Sequence, residues 1–379
     1  MIRIFALLLF SLVICIPDAL AQPAQQTAAK QAIMIDFETG MVLFEKNADK
    51  KMPTSSMSKV ITTYLVFEAL KNGQIKLDDK FSVSERAWRK GGSKMFVEVN
   101  KRVAVEDLLR GVIIQSGNDA TIVLAEGLAG TEDDFARALT KKAAELGMSN
   151  SNFTNASGWP DPDHYSTARD LAILSYALIR EFPGYYKYYS EKEFSYNNIK
   201  QANRNPLIYR DMGADGIKTG HTEAGGYGLM ASGVHNGRRV ILVVNGLEDE
   251  KARAQESAML LEWGLRGFEN HKLFKAGETV ETADVLMSKS GSVALVVEDD
   301  ISVTLPAIAL NDLKVDVKYK APLIAPIKKG QEIAVAEINI PRGATIKVPL
   351  LAAQDVEALG FFPKTVAKAK LYIGNKAGG

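Results

Sequence analysis

The sequence has almost no thiol chemistry available to it. Of 379 residues only Cys15 is a cysteine, and it lies inside an apolar stretch, residues 4–16, near the amino terminus. Without Cys15 the chain has neither disulfides nor a cysteine nucleophile. The four histidines, at positions 164, 221, 235 and 271, are scattered and lack metal-ligand spacing. These absences favour a hydrolase that uses neither a metal nor another cofactor.

An excess of charge of one sign is also missing. The chain has 46 basic and 45 acidic residues and a formal net charge of +1. It contains no block of lysine and arginine and no glycine-rich phosphate loop, so we expect no nucleic-acid partner. A chain of this length is expected to hold two domains and to bury a substantial core.

The amino terminus is typical of a secretory signal peptide. Arg3 precedes the apolar stretch 4–16, and the small-residue pattern Ala19-Leu20-Ala21 follows it. This layout predicts a signal peptide over residues 1–21 and export of the mature chain. The apolar stretch is short for a membrane span, so an uncleaved anchor is the less favoured alternative. Residues 22–30, rich in alanine and glutamine, are expected to form a flexible leader.

Residues 31–270 are predicted to form one domain of mixed helix and sheet. Apolar residues at helical spacing alternate with short strand-like runs, and Asn236-Gly237 is a strong hairpin signal. Strands at both ends with helices between them indicate an α+β fold, an antiparallel sheet covered by helices. The predicted helices are 57–70, 105–115, 120–128, 133–146, 168–180 and 250–268, and the predicted strands are 32–37, 41–45, 227–234 and 239–245.

The pattern changes after residue 270. Residues 271–354 alternate apolar and polar side chains between frequent turn residues, which predicts a small all-β domain. The last segment, 355–379, places Phe361, Val366 and Ile373 on one helical face among several lysines. Such a basic amphipathic helix can lie in the headgroup region of an anionic membrane. Docking of this helix on the β domain is the alternative.

The first motif that can carry chemistry is Ser56-x-x-Lys59, at the start of a predicted helix. A serine hydroxyl becomes a good nucleophile only when a base takes its proton. A lysine three residues on lies on the same helical face and can act as that base if its pKa falls. By itself the motif is common, and an N-capping serine with a surface lysine would explain it equally well.

Two further motifs follow in order. Ser116-Gly117-Asn118 offers a hydroxyl and an amide that can point the same way from a short turn. Lys218-Thr219-Gly220 offers a cation and a hydroxyl for an anionic substrate end, and a glycine that lets substrate backbone approach. The same lysine is a candidate for lowering the pKa of Lys59. Each motif alone is also explained by an ordinary turn or strand edge.

Together the three motifs resemble the S-x-x-K, S-x-N and K-T-G pattern of β-lactamases and penicillin-binding proteins. The chain most resembles the low-molecular-mass penicillin-binding proteins that act as serine D-alanyl-D-alanine carboxypeptidases. Longer blocks support this, including residues 110–120, 165–170 and 215–222. The resemblance runs from about residue 32 to the carboxyl terminus and implies a β-lactamase/transpeptidase-like catalytic domain.

The resemblance also implies roles for individual residues. Ser56 would attack the carbonyl between two terminal D-alanines, Lys59 would be the base, and Ser116 and Lys218 would assist proton transfer. The implied substrate-binding residues are Asn118, Lys218, Thr219, Gly220 and His221, with backbone N–H groups of Ser56 and His221 as the oxyanion hole. Arg204 and Arg266 would support the substrate carboxylate, although surface ion pairs would explain both equally well.

The implied partners are peptidoglycan stem peptides and, as covalent inhibitors, β-lactam antibiotics. The implied location is the periplasm, on the outer face of the cytoplasmic membrane, with peripheral contact through the carboxyl-terminal helix. A D,D-endopeptidase shares all three motifs and stays open as an alternative. A β-lactamase is less favoured because no glutamate loop follows Ser116 and a β domain is present. A non-catalytic wall scaffold is less favoured because every motif residue is retained.

Overall fold

A computed structural model describes residues 26–306, 313–340 and 345–360. The predicted signal peptide and residues 361–379 of the predicted amphipathic helix lie outside the described residues. The helices are α1 Lys59–Lys71, α2 Glu85–Arg89, α3 Val105–Ile113, α4 Asn118–Ala129, α5 Glu132–Glu145, α6 Ala168–Glu181, α7 Pro183–Tyr186 and α8 Glu250–Arg266.

The strands of the first domain are β1 Gln31–Asp36, β2 Val42–Lys46, β3 Lys80–Ser82, β4 Arg102–Ala104, β5 Glu193–Tyr196, β6 Ile199–Ala202, β7 Ala214–Thr222, β8 Gly226–His235 and β9 Arg238–Leu247. The strands that follow are β10 Phe268–Phe274, β11 Thr279–Leu286, β12 Ser292–Val296, β13 Ile301–Pro306, β14 Lys314–Lys318, β15 Leu323–Ile324, β16 Glu332–Asn339 and β17 Thr345–Ala352.

An antiparallel five-stranded sheet, in the order β2-β1-β9-β8-β7, forms the centre of the first domain. The hairpin β8–β9 turns at Asn236 and Gly237, which have φ angles of 49° and 80°. Positive φ at both positions gives the turn geometry that suits the twist of paired strands, which explains the Asn-Gly sequence. In this strand order β7 lies at one edge of the sheet.

Helices cover both faces of this sheet, and the side chains of β9 alternate between the two cores that result. Ile241 and Val243 belong to the larger core, which also contains the buried faces of α1 and α3 to α6. Leu242 and Val244 belong to the core beneath α8, with Leu261. Consecutive residues of a strand point to opposite faces, so a continuous apolar strand is buried on both sides. The α+β fold predicted from the sequence is confirmed.

The structure differs from the predicted elements around the first motif. The α-helix starts at Lys59, and residues 55–58 form a 3₁₀ turn before it rather than the first turn of the helix. Ser55 has a φ of 51°, which an α-helix does not allow, so the chain enters α1 through a sharp turn. We call Thr54 to Ser58, centred on this 3₁₀ turn, the nucleophile turn.

The end of the predicted flexible leader is docked on the first domain. Thr27 donates a hydrogen bond to the Glu256 carboxylate at 2.7 Å, and the Lys30 N–H donates to the Asn245 carbonyl at 2.9 Å. Ala29 is fully buried. Residues 27–30 therefore lead directly into β1, and the polar composition of the leader did not indicate these contacts.

The all-β domain follows, as predicted. β11, β12 and β14 to β17 form one six-stranded sheet, and β10 pairs with β13. Val356 and Ala358 bridge to Ile327 and Ser288, so residues 355–360 lie against this sheet although the sequence assigns them to the tail. Short pairings of this kind carry little hydrophobic periodicity, which is why the sequence does not show them.

Polar contacts join the two domains at the β1–β2 turn. Thr39 and Thr304 share a hydrogen bond of 2.6 Å between their hydroxyl oxygens. Asp36, fully buried, accepts a bond from Asn270 at 3.2 Å and forms a salt bridge of 2.8 Å with Arg238. A buried ion pair of this kind depends on both partners, because removing one leaves an uncompensated charge.

Across residues 26–306, 313–340 and 345–360, no helix combines the length and the apolar character needed to cross a membrane.

Candidate active site

Ser56 and Lys59 meet at the entrance to α1. The Lys59 Nζ donates to the Ser56 Oγ at 2.8 Å and to the Ser157 carbonyl oxygen at 2.6 Å. Lys59 is 1% exposed, whereas Ser56 is partly exposed. A buried amine in hydrogen-bond contact with a reachable hydroxyl is the arrangement that nucleophilic catalysis by serine requires.

Two glycines let other segments close around the nucleophile turn. A Cβ at Gly220 would lie 2.9 Å from the Thr54 carbonyl oxygen and 3.2 Å from the Ser55 Cβ. Gly158 has a φ of 76°, and a Cβ there would overlap the Ser55 carbonyl. The absence of side chains at these two positions allows β7 and the segment after Ser157 to reach the turn.

The environment of Lys59 favours its neutral form. Burial, followed by the positive charges of Arg204 and Lys90, lowers the pKa of Lys59 from 10.5 to about 7, against the opposing charge of Asp119. An amine with a pKa of about 7 is unprotonated in a large fraction of molecules near neutral pH. Lys59 can therefore accept a proton from Ser56 under physiological conditions.

The second motif lies between α3 and α4. Ser116 has a φ of 66°, is 1% exposed, and its Oγ has no hydrogen-bond partner among the described residues. A non-glycine residue held in this strained region is common at functional sites. The Asn118 side chain donates to the Gly91 carbonyl at 2.8 Å. The next residue, Asp119, accepts backbone bonds from residues 95–97 and thereby fixes this loop beside the motif.

The third motif lies on the edge strand β7. Lys218 and Thr219 are 2% and 5% exposed, and the Lys218 Nζ lies 3.2 Å from the Thr219 carbonyl oxygen. Burial lowers the pKa of Lys218 well below its usual value, with further contributions from Lys59 and Arg204. The ring of His221 stacks on Tyr227 with 3.9 Å between centroids. The unpaired edge of β7 can pair with an extended peptide.

The three motifs meet in one cleft of about 530 Å³. Ser56 and Asn118 line it from the first two motifs, His221 lines it directly after the third, and the exposed Trp159 forms part of its wall. Four other predicted residues of the motifs are buried: Lys59, Ser116, Lys218 and Thr219. Within the described parts of the chain, no cluster of three histidine, cysteine or acidic side chains is placed to hold a metal ion.

Arg204 and Arg266 occupy different environments. Arg204 acts on the pKa of both Lys59 and Lys218, so it lies close to the cleft. Arg266 is 57% exposed and pairs with Glu262 at 3.3 Å beside the β8–β9 turn. Tyr227 lies near the first end of β8 and His235 at its last residue, and eight residue steps of strand separate them by about 26 Å. The structure therefore does not bring Arg266 to the cleft.

A second arginine near the cleft was not predicted. Arg253 lies in the first turn of α8, is 6% exposed, and its guanidinium is 5.6 Å from the ring centroid of Tyr227. Its charge contributes, after burial, Lys59 and Arg204, to the lowered pKa of Lys218. The sequence contained one signal for it. Arg253 is the fourth residue of the predicted helix 250–268, which follows the strand that pairs with β8.

Family models match nearly all of the described chain. A model of the D-alanyl-D-alanine carboxypeptidase family matches residues 18–249, and a model of the penicillin-binding protein 5 C-terminal domain matches residues 268–358. The chain belongs to the D-alanyl-D-alanine carboxypeptidase family. It is a serine D-alanyl-D-alanine carboxypeptidase, as the resemblance of its motifs implied.

Individual relatives agree with this assignment. The D-alanyl-D-alanine carboxypeptidase DacC of Escherichia coli is 39% identical over 347 residues, which cover 89% of this chain and 87% of that one. Penicillin-binding protein 5 from Haemophilus influenzae superposes with a TM-score of 0.78 at 38% identity, covering 88% of this chain and 98% of that chain. Penicillin-binding protein D2 from Listeria monocytogenes, solved with ampicillin bound, superposes with a TM-score of 0.59 at 32% identity, covering 65% and 100%.

The roles of the site residues remain predictions from the sequence, and the structure now shows where these residues lie. The structure brings Ser56, Lys59, Ser116, Asn118 and the 218–221 segment into and beneath one cleft. The charge of Arg204 lowers the pKa of Lys218, and so does that of Arg253, which was not predicted as a site residue.

Proposed function

We propose that this enzyme removes the terminal D-alanine from peptidoglycan stem peptides through an acyl-enzyme on Ser56. The observation that carries the proposal is the 2.8 Å contact between the Ser56 Oγ and the Lys59 Nζ. It is strengthened by the pKa of about 7 that burial imposes on Lys59. A hydroxyl and a neutral amine in contact can exchange a proton as the hydroxyl attacks a carbonyl.

The first half-reaction forms an ester. The Ser56 Oγ bonds to the carbonyl carbon between the two D-alanines while its proton passes to the Lys59 Nζ. The tetrahedral intermediate then collapses, the carbon–nitrogen bond breaks, and the proton held by Lys59 passes through Ser116, beside Lys218, to the nitrogen of the leaving D-alanine. Ser116, whose hydroxyl has no partner among the described residues, and the buried Lys218 belong to the motifs that border the cleft. In the second half-reaction water attacks the ester, its proton passes through Lys59 to the Ser56 oxygen, and its hydroxyl group stays on the carboxyl end of the released peptide.

The edge of β7 suits the recognition of a peptide end. Thr219 and Lys218, supported by the charges of Arg204 and Arg253, form a cationic region for the terminal carboxylate. The backbone N–H groups of Ser56 and His221 would stabilise the oxyanion, and one such donor is worth ~10²–10³ in turnover. Gly220 would leave room for the substrate backbone on one side, and the Asn118 amide would bond to it on the other.

We further propose the location and the domain roles. Residues 1–21 would direct export to the periplasm, residues 31–270 would carry catalysis, and residues 271–354 would hold this domain away from the membrane surface. The basic segment near the carboxyl terminus would contact the outer face of the cytoplasmic membrane. Support comes from the sequence pattern of Phe361, Val366 and Ile373 among lysines.

Release of D-alanine from a peptide that ends in D-Ala-D-Ala tests the catalytic proposal. The wild type, Ser56→Ala and Ser157→Ala are compared, and intact mass is measured after benzylpenicillin. We expect release and a penicilloyl adduct in the wild type and Ser157→Ala, and neither in Ser56→Ala. An adduct without release, together with cleavage of a cross-linked peptide dimer, would replace carboxypeptidase by endopeptidase. An adduct on Ser56→Ala would refute the assignment of the nucleophile.

Sedimentation with vesicles tests the membrane proposal. The mature chain and a chain ending at residue 360 are mixed with vesicles containing phosphatidylglycerol at low and high salt. We expect the longer chain alone to sediment, and salt to reduce its binding because the lysine contribution is electrostatic. Equal binding of both chains would contradict a role for the carboxyl-terminal segment.

A further inference from the structure

His164 lies behind the nucleophile turn and outside the set of motif residues. It is 4% exposed, and its Nε2 lies 2.8 Å from the Oγ of the buried Ser58. The Ser58 Oγ lies 2.5 Å from the Oγ1 of Thr54. On the other side of the ring, the backbone N–H of Thr154 donates to His164 Nδ1 at 3.2 Å. Both ring nitrogens are therefore engaged.

The direction of these bonds follows from the backbone N–H of Thr154. This group can only donate, so Nδ1 accepts and the proton of the neutral ring is on Nε2. Nε2 then donates to the Ser58 Oγ, and the bond between Ser58 and Thr54 can run in either direction. Burial lowers the pKa of His164 to about 4, against the opposing charge of Asp161 and together with that of Lys59. The ring is therefore neutral at neutral pH, with its proton on Nε2.

This chain of bonds ties two segments together beside the catalytic pair. Residues 157–164 contact Lys59 through the Ser157 carbonyl, which accepts from the amine, and contact the nucleophile turn through His164, which bonds to Ser58. Ser58 directly precedes Lys59, so the two tethers hold neighbouring residues. Gly158 packs between them against the Ser55 carbonyl. Just before the segment, Asn155 accepts from the N–H groups of residues 157 and 159, and the Ala156 carbonyl accepts from the Thr62 hydroxyl of α1 at 2.7 Å.

We propose that His164 is a positioning residue for catalysis: its bond to Ser58 clamps the 157–164 segment onto the nucleophile turn, so that the Ser157 carbonyl orients the Lys59 amine and water is excluded around it. The inference rests on the proposed roles of Ser56 and Lys59.

The clamp acts on Lys59 through hydration. The groups that face the Lys59 amine are the Ser157 carbonyl, the Ser56 hydroxyl, the cations Arg204, Lys90 and Lys218, and the carboxylate of Asp119. None of these is removed when His164 changes. Loosening the segment admits water, weakens the desolvation that lowers the pKa of Lys59, and moves that pKa upward. A smaller fraction of Lys59 is then neutral at pH 7.

The experiment measures the second-order rate constant for acylation of the full chain by benzylpenicillin from pH 5.5 to 9.5. The variants are His164→Phe, which keeps a ring but removes both bonds, and His164→Gln, which keeps an acceptor and a donor. Phe153→Leu is the control for packing, because Phe153 contacts the His164 ring edge-on at 5.4 Å between centroids and has no part in the bonds. Melting temperatures are recorded for all.

We expect His164→Phe to be acylated about fivefold more slowly at pH 7, with the acid limb of its profile about one pH unit higher. His164→Gln should remain within about threefold of the wild type, with its acid limb unmoved. Phe153→Leu should lower the melting temperature and leave the acid limb in place.

A wild-type acid limb in folded His164→Phe would overturn the proposal, as would an equal shift in Phe153→Leu. Either result would assign His164 to stability alone. The proposed function fails separately, on the wild type itself, if that protein is not acylated on Ser56 or releases no D-alanine.

Discussion

Replacing Lys59 by methionine should make the catalytic domain more stable in a pH-dependent way. Burial lowers the pKa of Lys59 from 10.5 to about 7, so the folded protein resists protonation of this amine. Holding the charged form in the folded state costs about 5 kcal/mol, at about 1.4 kcal/mol per tenfold change in proton affinity. Methionine has a similar length and no charge, so Lys59→Met removes this cost together with activity.

The sign follows from the two pKa values. The pKa of Lys59 is lower in the folded than in the unfolded state, so between pH 7 and 10.5 the unfolded chain binds more protons. The stability of the wild type therefore rises with pH across this window, and the cost is complete below pH 7. The free energy of unfolding of Lys59→Met minus that of the wild type should fall by about 2 kcal/mol from pH 7 to pH 9.

Tryptophan fluorescence during urea unfolding is a suitable assay. All three tryptophans, Trp88, Trp159 and Trp263, lie in the first domain, so the signal reports that domain alone. Lys50→Met, at an exposed position, corrects for the effect of the substitution on the unfolded chain. The absolute difference also contains the lost bonds of Lys59, about 1 kcal/mol each, which do not change with pH. A difference that stays constant between pH 7 and pH 9 would refute the neutral, desolvated lysine.

Three other substitutions test separate parts of the structure. Gly158→Ala should destabilise the protein by more than about 2 kcal/mol and slow penicillin acylation, because the new Cβ overlaps the nucleophile turn at a φ of 76°. Arg253→Gln should raise the KM for a D-Ala-D-Ala peptide about tenfold by removing a cation near the substrate carboxylate, whereas Arg266→Gln should not change it. Arg238→Met should lower the free energy of urea unfolding by about 3 kcal/mol because Asp36 is left buried and unpaired.

Each of these has a clear contrary result. If Gly158→Ala melts at the same temperature and is acylated by penicillin at the same rate as the wild type, the segment after Ser157 can move away without cost. Equal KM values for the Arg253 and Arg266 variants would remove Arg253 from the site. Unchanged stability of Arg238→Met would mean that water reaches Asp36.

The sequence predicts the parts of the fold that depend on local periodicity. The Asn236-Gly237 turn, the continuous apolar strand that follows it and the helix after residue 250 all appear within a few residues of their expected bounds. The short strands β3 to β6 and the small helix α2 were not predicted. Their three to five residues contain too few apolar positions to show a period, and tertiary contacts fix them.

For the site, the three motifs could be found because their residue types and order are restrictive. What the sequence could not show is the part that depends on distant segments. Ser157, 98 positions away from Lys59 in the chain, contributes only a carbonyl, which every residue has. Arg253 depends on the position of α8 over β8. Arg266, on the same helix, was expected from the family resemblance, which does not say which turn of the helix faces the cleft.

The acceptor for Lys59 has a consequence for how tolerance to mutation will be distributed in this protein. Since the group is a main-chain oxygen, no codon change at position 157 deletes it, and Ser157→Ala should pass as silent in a saturation library. Depletion should instead fall on Asn155, which accepts from the N–H groups of residues 157 and 159, and on Gly158, whose missing side chain admits the segment. A map of fitness or antibiotic resistance against position would then show Asn155 and Gly158 as essential and Ser157 as tolerant, although Ser157 is the residue that contacts Lys59.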